Sequence, residues 1–595
     1  GADHGGGFDV AEAAAGGQRL SSSLALSGPT GRFGVGVEPG PAGLLDGVLA
    51  FSDGTRTVAF RGFALQIDGQ DCDARGSGVR IRASSAAQGR AGLCLHHVVT
   101  IAEREVPVDL TLQAEEGSVT LALSMPGVKR DARGTPRVSA AGLGPASVPL
   151  RRVHLGFGNV AEGLTAPFSV SAGGFGLSTR HVAADYGNGL SLLQATDLQP
   201  NRVLCDPASA LFRLEGALDC TFRFIPSTTG AFAAARHYRD LNGFEPGRGV
   251  PNLLGRMCLD QWGGDYQDAA ADLDLAGRYG LTHAIFVKHV WQRWGYDYRL
   301  PEIYPPQGGL AAFRTMPEAC RRHGILFAPH DNYIDLYPDA AGFTYDDVLF
   351  NADGTPQRAW FNKGRQAQSY RWLPQAFRPW LVANMKAMRD GFEPNGLFID
   401  VFSAIRVMDY YDRAGRFYGR DRTTREWRAA FDTCRRILGH DAPMLSEAGH
   451  DALVGSLDGA QSDHYTADRW GIKAAAHTRT PWHDMATHGR FVLLAGGLGS
   501  RYSNDDAAHS YGTDDYLSNT VIGGRNPMCD GPFNRRAAMT YWLLHDVCNA
   551  LAHQEFEAHE FVGDSIYRQH TTFSRGAQAW SNRGTEPWMV DGRTL

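Results

Sequence analysis

The sequence predicts a multidomain chain of α/β and all-β parts: an N-terminal antiparallel β-sandwich, a central (β/α)8 TIM-like barrel, and C-terminal β-strands. Three observations predict it. Short β-rich runs separated by Gly, Pro and Asp fill the first third of the chain. From Pro251 onward strands alternate with helices over roughly 300 residues, the pattern of parallel βαβ units closing into a barrel. Two of the later apolar runs each end in one carboxylate, Asp400 and Glu447, and the C-terminal strand ends are where a barrel delivers its chemistry.

Composition bounds what such a chain can do. It has 595 residues, 43% of them hydrophobic and 21% charged, enough for two or three domains with substantial cores. The net charge of -6 arises from 58 basic and 64 acidic residues without long runs of either sign. That leaves no electrostatic footprint for nucleic acid or an anionic membrane, so the expected partner is a neutral glycan or glycoside. No apolar run reaches the ~18 residues of a membrane span, and the chain reads as soluble. It starts at Gly1 with no signal-peptide pattern, so the compartment stays open, periplasmic or secreted ahead of cytoplasmic. None of the nine cysteines forms a C-x-x-C pair, which argues against a zinc ribbon or a redox motif. Buried free thiols are the first reading of the cysteines; in an oxidising compartment Cys72 with Cys94, or Cys205 with Cys220, could pair across neighbouring strands.

Residues 1–229 form the expected sandwich. Thr57 to Leu65, Val108 to Leu112, Val119 to Leu123, Leu190 to Gln194 and Cys220 to Phe224 alternate with a period of two. His96 and His97 lie side by side in one apolar run, but neighbours on a strand face opposite sides and cannot share a metal ion. Residues 230–250 form a linking helix that begins at Ala231 and ends at the Asn242-Gly243 pair.

Residues 251–556 form the expected barrel. Its first strands are Leu254 to Leu259, His283 to Lys288 and Ile325 to Ala328, with helices at Asp265 to Tyr279 and Leu310 to His323 between them. The fourth strand ends at Asp400 and the fifth at Glu447, with a helix from Thr424 to Leu438 between. Gly459 to Asp463 and Phe491 to Ala495 continue the pattern, and Met539 to His553 is an apolar helix near its end. No G-x-G-x-x-G turn follows the first strand, which disfavours a dinucleotide fold. Residues 557–595 return to β texture as the start of a C-terminal β-domain. These strands are too few to bury a core alone, so either the chain continues or they join another sheet.

Two carboxylates on successive barrel strands suit a retaining glycoside hydrolase, which needs them ~5 Å apart across the sugar. Asp400 is then the nucleophile, in a donor-rich environment, and Glu447 the general acid/base, in a drier one. The structural alternatives are a helix cap or an Arg406 pair for Asp400, and a salt bridge to a barrel arginine for Glu447. Asp331, Asn332 and His330 close the third strand and Asp463 the sixth, where they could bind sugar hydroxyls, buried structural hydrogen bonding being the competing account; His289 and His464 add donors. Lys288 could bind substrate oxygens or, less in keeping with the rest, form a Schiff base. Aromatics are dense at the expected barrel mouth: Trp262, Trp291, Trp294, Tyr296, Tyr298, Tyr333, Trp360, Tyr370 and Trp372. For any single ring loop packing is the first account; as a set they favour stacking on flat sugar faces. No cofactor is required; Asp505, Asp506, Asp514 and Asp515 near Arg501 allow a structural Ca²⁺, although solvation of the loop explains them as well.

The segments Leu-Phe-Ile-Asp400-Val-Phe and Leu-Ser-Glu447, with the order sandwich, helix, barrel and β-domain, resemble the endo- and exo-α-N-acetylgalactosaminidase families. More broadly they resemble the retaining α-galactosidase and α-glucosidase barrels. The resemblance implies an α-glycosidase working with net retention through a β-linked glycosyl-Asp400 intermediate, on an α-galactoside or α-N-acetylgalactosaminide. A metal-dependent barrel hydrolase is the alternative enzyme, although the first strand, Leu254-Gly-Arg-Met-Cys-Leu-Asp260, lacks a His-x-His pair. A non-catalytic carbohydrate-binding protein is the alternative outside enzymes.

Overall fold

The computed structural model describes residues 22–72, 80–86, 92–129, 131, 133–156, 158–462, 467–496 and 514–595. The chain forms two compact units. The first comprises residues 1–172, 179–242 and 466–482, and the second residues 173–178, 243–465 and 483–595. No helix among the described residues is long and apolar enough to cross a membrane.

The first unit is built of antiparallel sheets, the largest with ten strands. Alternation makes it possible: in Arg104–Glu115 the residues Val106, Val108, Leu110 and Leu112 are buried while those between them are not. A four-stranded sheet packs face to face on the ten-stranded one through Phe51 against Phe224 and Phe60 against Tyr186. The helix Ala231–Asn242 belongs to this unit. So does Ala474–Arg479, which leaves the barrel run and pairs antiparallel with Asn159–Leu164 at the edge of the large sheet. All nine cysteines are free thiols, eight of them buried, as the free-thiol reading has it; neither Cys72–Cys94 nor Cys205–Cys220 pairs.

The second unit contains a closed barrel of eight parallel strands. They are β1 Met257–Trp262, β2 Ala284–His289, β3 Leu326–Asp331, β4 Leu397–Ile399, β5 Met444–Glu447, β6 Gly459–Ser462, β7 Val492–Gly496 and β8 Asn526–Asp530. The first strand starts later than its apolar run suggests, because Val250–Leu253 is a helical turn and Gly255, at φ +75°, turns the chain after it. Cys258, Ile285, Val287, Leu326, Ala328, Phe398, Leu445, Leu494 and Met528 fill the barrel with Val250 and Leu253 beneath them. One residue pair further along the same strand faces come Asp260, His289, His330, Asp400 and Glu447. The inward face therefore changes from apolar to polar toward the strand C-termini.

One insertion into the barrel matters for the site. After β3 the chain makes a three-stranded antiparallel sheet from Asp335–Leu336, Arg358–Asn362 and Ala367–Arg371, a region expected to be loop. After the last barrel helix, Arg535–Ala552, the C-terminal strands Phe556–Phe561, Arg568–Phe573 and Gln578–Asn582 form a three-stranded sheet of their own. That sheet contacts the helix Asp514–Gly523 through Thr571 to the Ile522 carbonyl, 2.9 Å, and Arg583 to Asn519, 3.1 Å. The buried face of these strands, with Gln569, Thr571, Phe573, Ala579 and Ser581, packs toward that barrel helix, which is how so few strands find a core.

Candidate active site

Asp400 and Glu447 line one cavity of about 380 Å³ in the second unit. Their strands are hydrogen-bonded neighbours, β4 on β5, with Leu397 opposite Met444 and Phe398 opposite Leu445. The turns beyond the two strands are tied together. Ser403 donates its hydroxyl to the Glu447 carbonyl at 2.7 Å, receives the Gly449 and His450 amides on its own carbonyl, and gives its amide to Ser446 Oγ at 3.2 Å. Val401 (φ +74°) and Ala448 (φ +66°), the residues directly after the two carboxylates, are both left-handed. A β-branched residue pays steric strain there, and such strain collects at sites that must aim a side chain.

The exposure of the pair differs from expectation. Asp400 is 5% exposed, whereas Glu447 is half-buried on the rim, so the drier carboxyl is Asp400. Asp400 directly follows the three-residue β4, while Glu447 is the last residue of the four-residue β5.

Below Asp400 runs a buried chain of four side chains. His289 Nε2 meets Asp260 Oδ1 at 2.6 Å, His289 Nδ1 meets His330 Nδ1 at 3.0 Å, and His330 Nε2 meets Asp297 Oδ1 at 2.9 Å. Gln461 of β6 donates to the same Asp260 oxygen at 2.7 Å across the barrel. Asp297, His330 and Asp400 bring ligand-type atoms within 4.8 Å of one another, but both His330 ring nitrogens are already engaged, so a cation there would have to displace one of those bonds.

The remaining wall comes from the insertions. Asp297, in the loop after β2, and Asp335, after β3, face the cavity with Trp360 and Arg371 of the inserted sheet, and Phe175 adds an apolar edge. Asp335 is held by Asn332 Nδ2 (2.7 Å), Ser369 Oγ (2.7 Å) and the Trp360 amide (3.2 Å); burial, then the Asp297 charge, push its carboxyl above the usual range. Trp360 is 44% exposed and packs edge-on against Tyr296. The Arg371 Nε makes no hydrogen bond among the described residues; burial weakens its hold on its proton and the Asp335 charge partly restores it.

Several expected binding residues stand elsewhere. Lys288 and Asp331 each adjoin an inward-facing histidine, so strand alternation turns them to the barrel's outer side. Lys288 donates to the Gly263 carbonyl over the Tyr266 ring, and burial pushes its ammonium down to about 8. Asn332 is buried and shapes the turn after β3, accepting the Ile334 and Asp335 amides. His330 faces inward but belongs to the buried chain of side chains. Trp291, Tyr333 and Trp372 are core residues, at most 2% exposed; Trp291 packs on Phe313 and Phe392, and Tyr333 on Phe377. Trp262 stacks on His289 and donates to Asp260, covering that chain rather than lining the cavity. Asp463, His464, Arg501, Asp505 and Asp506 lie outside the described residues, and the backbone of Asp514 and Asp515 opens the helix Asp514–Gly523. Asp297, Asp335 and Arg371 were missed because they sit in long insertions without strand periodicity.

Asp331 offers a stability test independent of activity. Burial, outweighing the Tyr333 hydroxyl and the Asn332 amide, pushes its carboxyl up to about 7. Between pH ~4, the ordinary carboxylate value, and about 7 the folded chain holds this proton more tightly than the unfolded chain. Its contribution is present in full below pH ~4 and is lost as pH rises through 7. Asp331→Asn, neutral throughout, is expected to be more stable than wild type at pH 8 by up to about 4 kcal/mol, with little gain at pH 4. Urea melts at the two pH values measure it; an equal effect at both would refute a raised carboxyl.

No protein-family model and no curated protein sequence matches the chain. Solved structures do match. An α-N-acetylgalactosaminidase from Bifidobacterium bifidum in complex with GalNAc is 14% identical at a TM-score of 0.72, covering 93% of this chain and 98% of that one. The same protein with Gal-NHAc-DNJ gives 14% and 0.74, covering 94% and 100%. A GH36 α-galactosidase from Geobacillus stearothermophilus in complex with 1-deoxygalactonojirimycin gives 9% and 0.56, covering 92% and 90%. At these identities the likeness shows a shared fold over nearly the whole chain: a parallel barrel with flanking β-domains.

Proposed function

We propose that the chain is a retaining glycoside hydrolase that cleaves an α-linked galactose or N-acetylgalactosamine residue. The observation that carries the reading is the placement of Asp400 and Glu447 at the ends of adjacent parallel strands, lining one cavity, with their turns tied by Ser403. The solved structures of the same fold that hold GalNAc or galactose-type inhibitors support the choice of sugar.

In this mechanism the Asp400 carboxylate attacks the anomeric carbon as the glycosidic oxygen leaves with the proton of Glu447. The β-linked glycosyl-Asp400 ester is then opened by water, whose proton Glu447 takes back, and the sugar departs with its α configuration restored. Asp297 and Asp335 accept hydrogen bonds from ring hydroxyls, Arg371 donates to substrate oxygens, and the open face of Trp360 stacks on the sugar. The route draws on carboxylates alone, with no cofactor.

The test is hydrolysis of aryl α- and β-glycosides of galactose, N-acetylgalactosamine, glucose, fucose and arabinose, with proton NMR of the first-formed anomer. Turnover of an α-galactoside or α-N-acetylgalactosaminide to the α-sugar is expected. A first-formed β-sugar would overturn retention, and saturable binding of the glycosides without any turnover would make the protein a carbohydrate binder.

A further inference from the structure

In the first unit, far in sequence from the cavity residues, the strands Gly92–Ile101 and Arg104–Glu115 pair antiparallel. Their inner faces are apolar, with His97 fully buried between the Leu44 amide and the Val108 carbonyl. Their other face holds a different set. Cys94 and His96, two apart, point the same way, and the register sets His96 opposite Asp109 and Cys94 opposite Thr111. Cys94 Sγ is 3.9 Å from His96 Nδ1, His96 Nδ1 is 2.8 Å from Asp109 Oδ1, and all three atoms lie within 4.8 Å of one another.

We propose that Cys94, His96 and Asp109 bind one divalent ion of the zinc class, with water in the fourth position. Zinc–sulfur and zinc–nitrogen or –oxygen bonds of about 2.3 and 2.0–2.1 Å at a tetrahedral angle put ligand atoms roughly 3.3–3.6 Å apart. The observed 3.9 and 2.8 Å bracket that spacing, so small side-chain rotations on a fixed ladder suffice. One thiolate, one imidazole and one carboxylate suit zinc or cobalt and not calcium or magnesium, which take oxygen ligands. The Thr111 hydroxyl, 3.3 Å from Cys94 Sγ, is placed to donate to the metal-bound sulfur. Access is open: the His96 side chain is 38% exposed, and Cys94 is the one cysteine of nine that is not buried. The bland account is a His–Asp ion pair that happens to lie beside a thiol, and it predicts no stoichiometric metal.

The full chain is stripped with a chelator, loaded with Zn²⁺ alone, freed of excess by gel filtration and assayed for metal. One zinc per chain is expected, and Co²⁺ in its place should give a thiolate-to-cobalt charge-transfer band in the near ultraviolet. Cys94→Ser should remove the band and Thr111→Val should weaken zinc binding about 10-fold, while Cys72→Ser keeps both. Zinc should also protect Cys94 from iodoacetamide, read by peptide mass, which decides the matter in the wild-type chain even if a variant fails to fold. Substoichiometric zinc, unprotected Cys94, or unchanged binding by Cys94→Ser/His96→Gln/Asp109→Asn would overturn the site.

Discussion

Asp400→Asn is expected to lower kcat on aryl α-glycosides by on the order of 10⁴-fold while substrate binding changes little, since the amide keeps the shape of the carboxylate but cannot attack carbon. The smaller Asp400→Gly should regain turnover when azide is added and release the β-glycosyl azide, because the external anion attacks from the vacated side. Glu447→Gln should behave differently. Loss of the proton donor costs about 10²–10⁴-fold with poor leaving groups and much less with nitrophenolates, which leave without help. Azide with Glu447→Ala should yield the α-azide, because the Asp400 ester still forms first. Opposite azide anomers from the two variants would fix both roles; the same anomer from both would falsify the assignment, and wild-type rates in either would remove that residue from the chemistry.

The second large effect concerns folding. Asp458 is buried beneath the barrel and gathers four segments: it accepts the Gly249 amide (3.1 Å), the Met444 amide (2.7 Å) and Arg435 Nη2 (2.5 Å), and it directly precedes β6. The packing is close enough that a Cβ on Gly249 would lie 2.4 Å from Asp458 Oδ2. Burial raises the Asp458 carboxyl in spite of Arg435, so the pair itself adds little net stability. Breaking it is another matter, because Asp458→Ala leaves two amides without their acceptor and the buried Arg435 guanidinium with only the Ser456 carbonyl and Asp432, 3.6 Å away. That variant should lose about 3–5 kcal/mol, measured by chemical denaturation. Arg435→Met/Asp458→Ala should lose less than Asp458→Ala alone, since no charge is then left unpaired. A double variant as unstable as the sum of its singles would show that the two side chains act independently.

The barrel was legible because its strands repeat a short rule. Each inward face reads apolar residues and then one polar residue at the C-terminal end: Ile285, Val287, His289; Leu326, Ala328, His330; Phe398, Asp400; Leu445, Glu447. Alternation is local, and a run of five or six residues displays it. The same rule, applied strictly, turns Lys288 and Asp331 away from the cavity, because each stands one residue from an inward-facing histidine. Trp291, Tyr333 and Trp372 share a different cause. An aromatic in a loop reads the same whether the loop folds over it or presents it, and here Phe313, Phe377 and Phe392 pack against all three.

By itself, the sequence determined the order of β-sandwich, helix, barrel and C-terminal strands, and it marked two successive barrel strands as each ending in a carboxylate. Periodicity, turn residues and the ends of apolar runs are properties of neighbouring residues, so they survive without a partner. Only the tertiary structure decided that Asp297, Asp335, Trp360 and Arg371 share a cavity with Asp400 and Glu447, that two histidines link Asp260 to Asp297, and that Asp109 stands beside Cys94 and His96. Each depends on contacts between segments that no local pattern relates: an insertion folding back, strands closing across a barrel, or the register of one strand against the next.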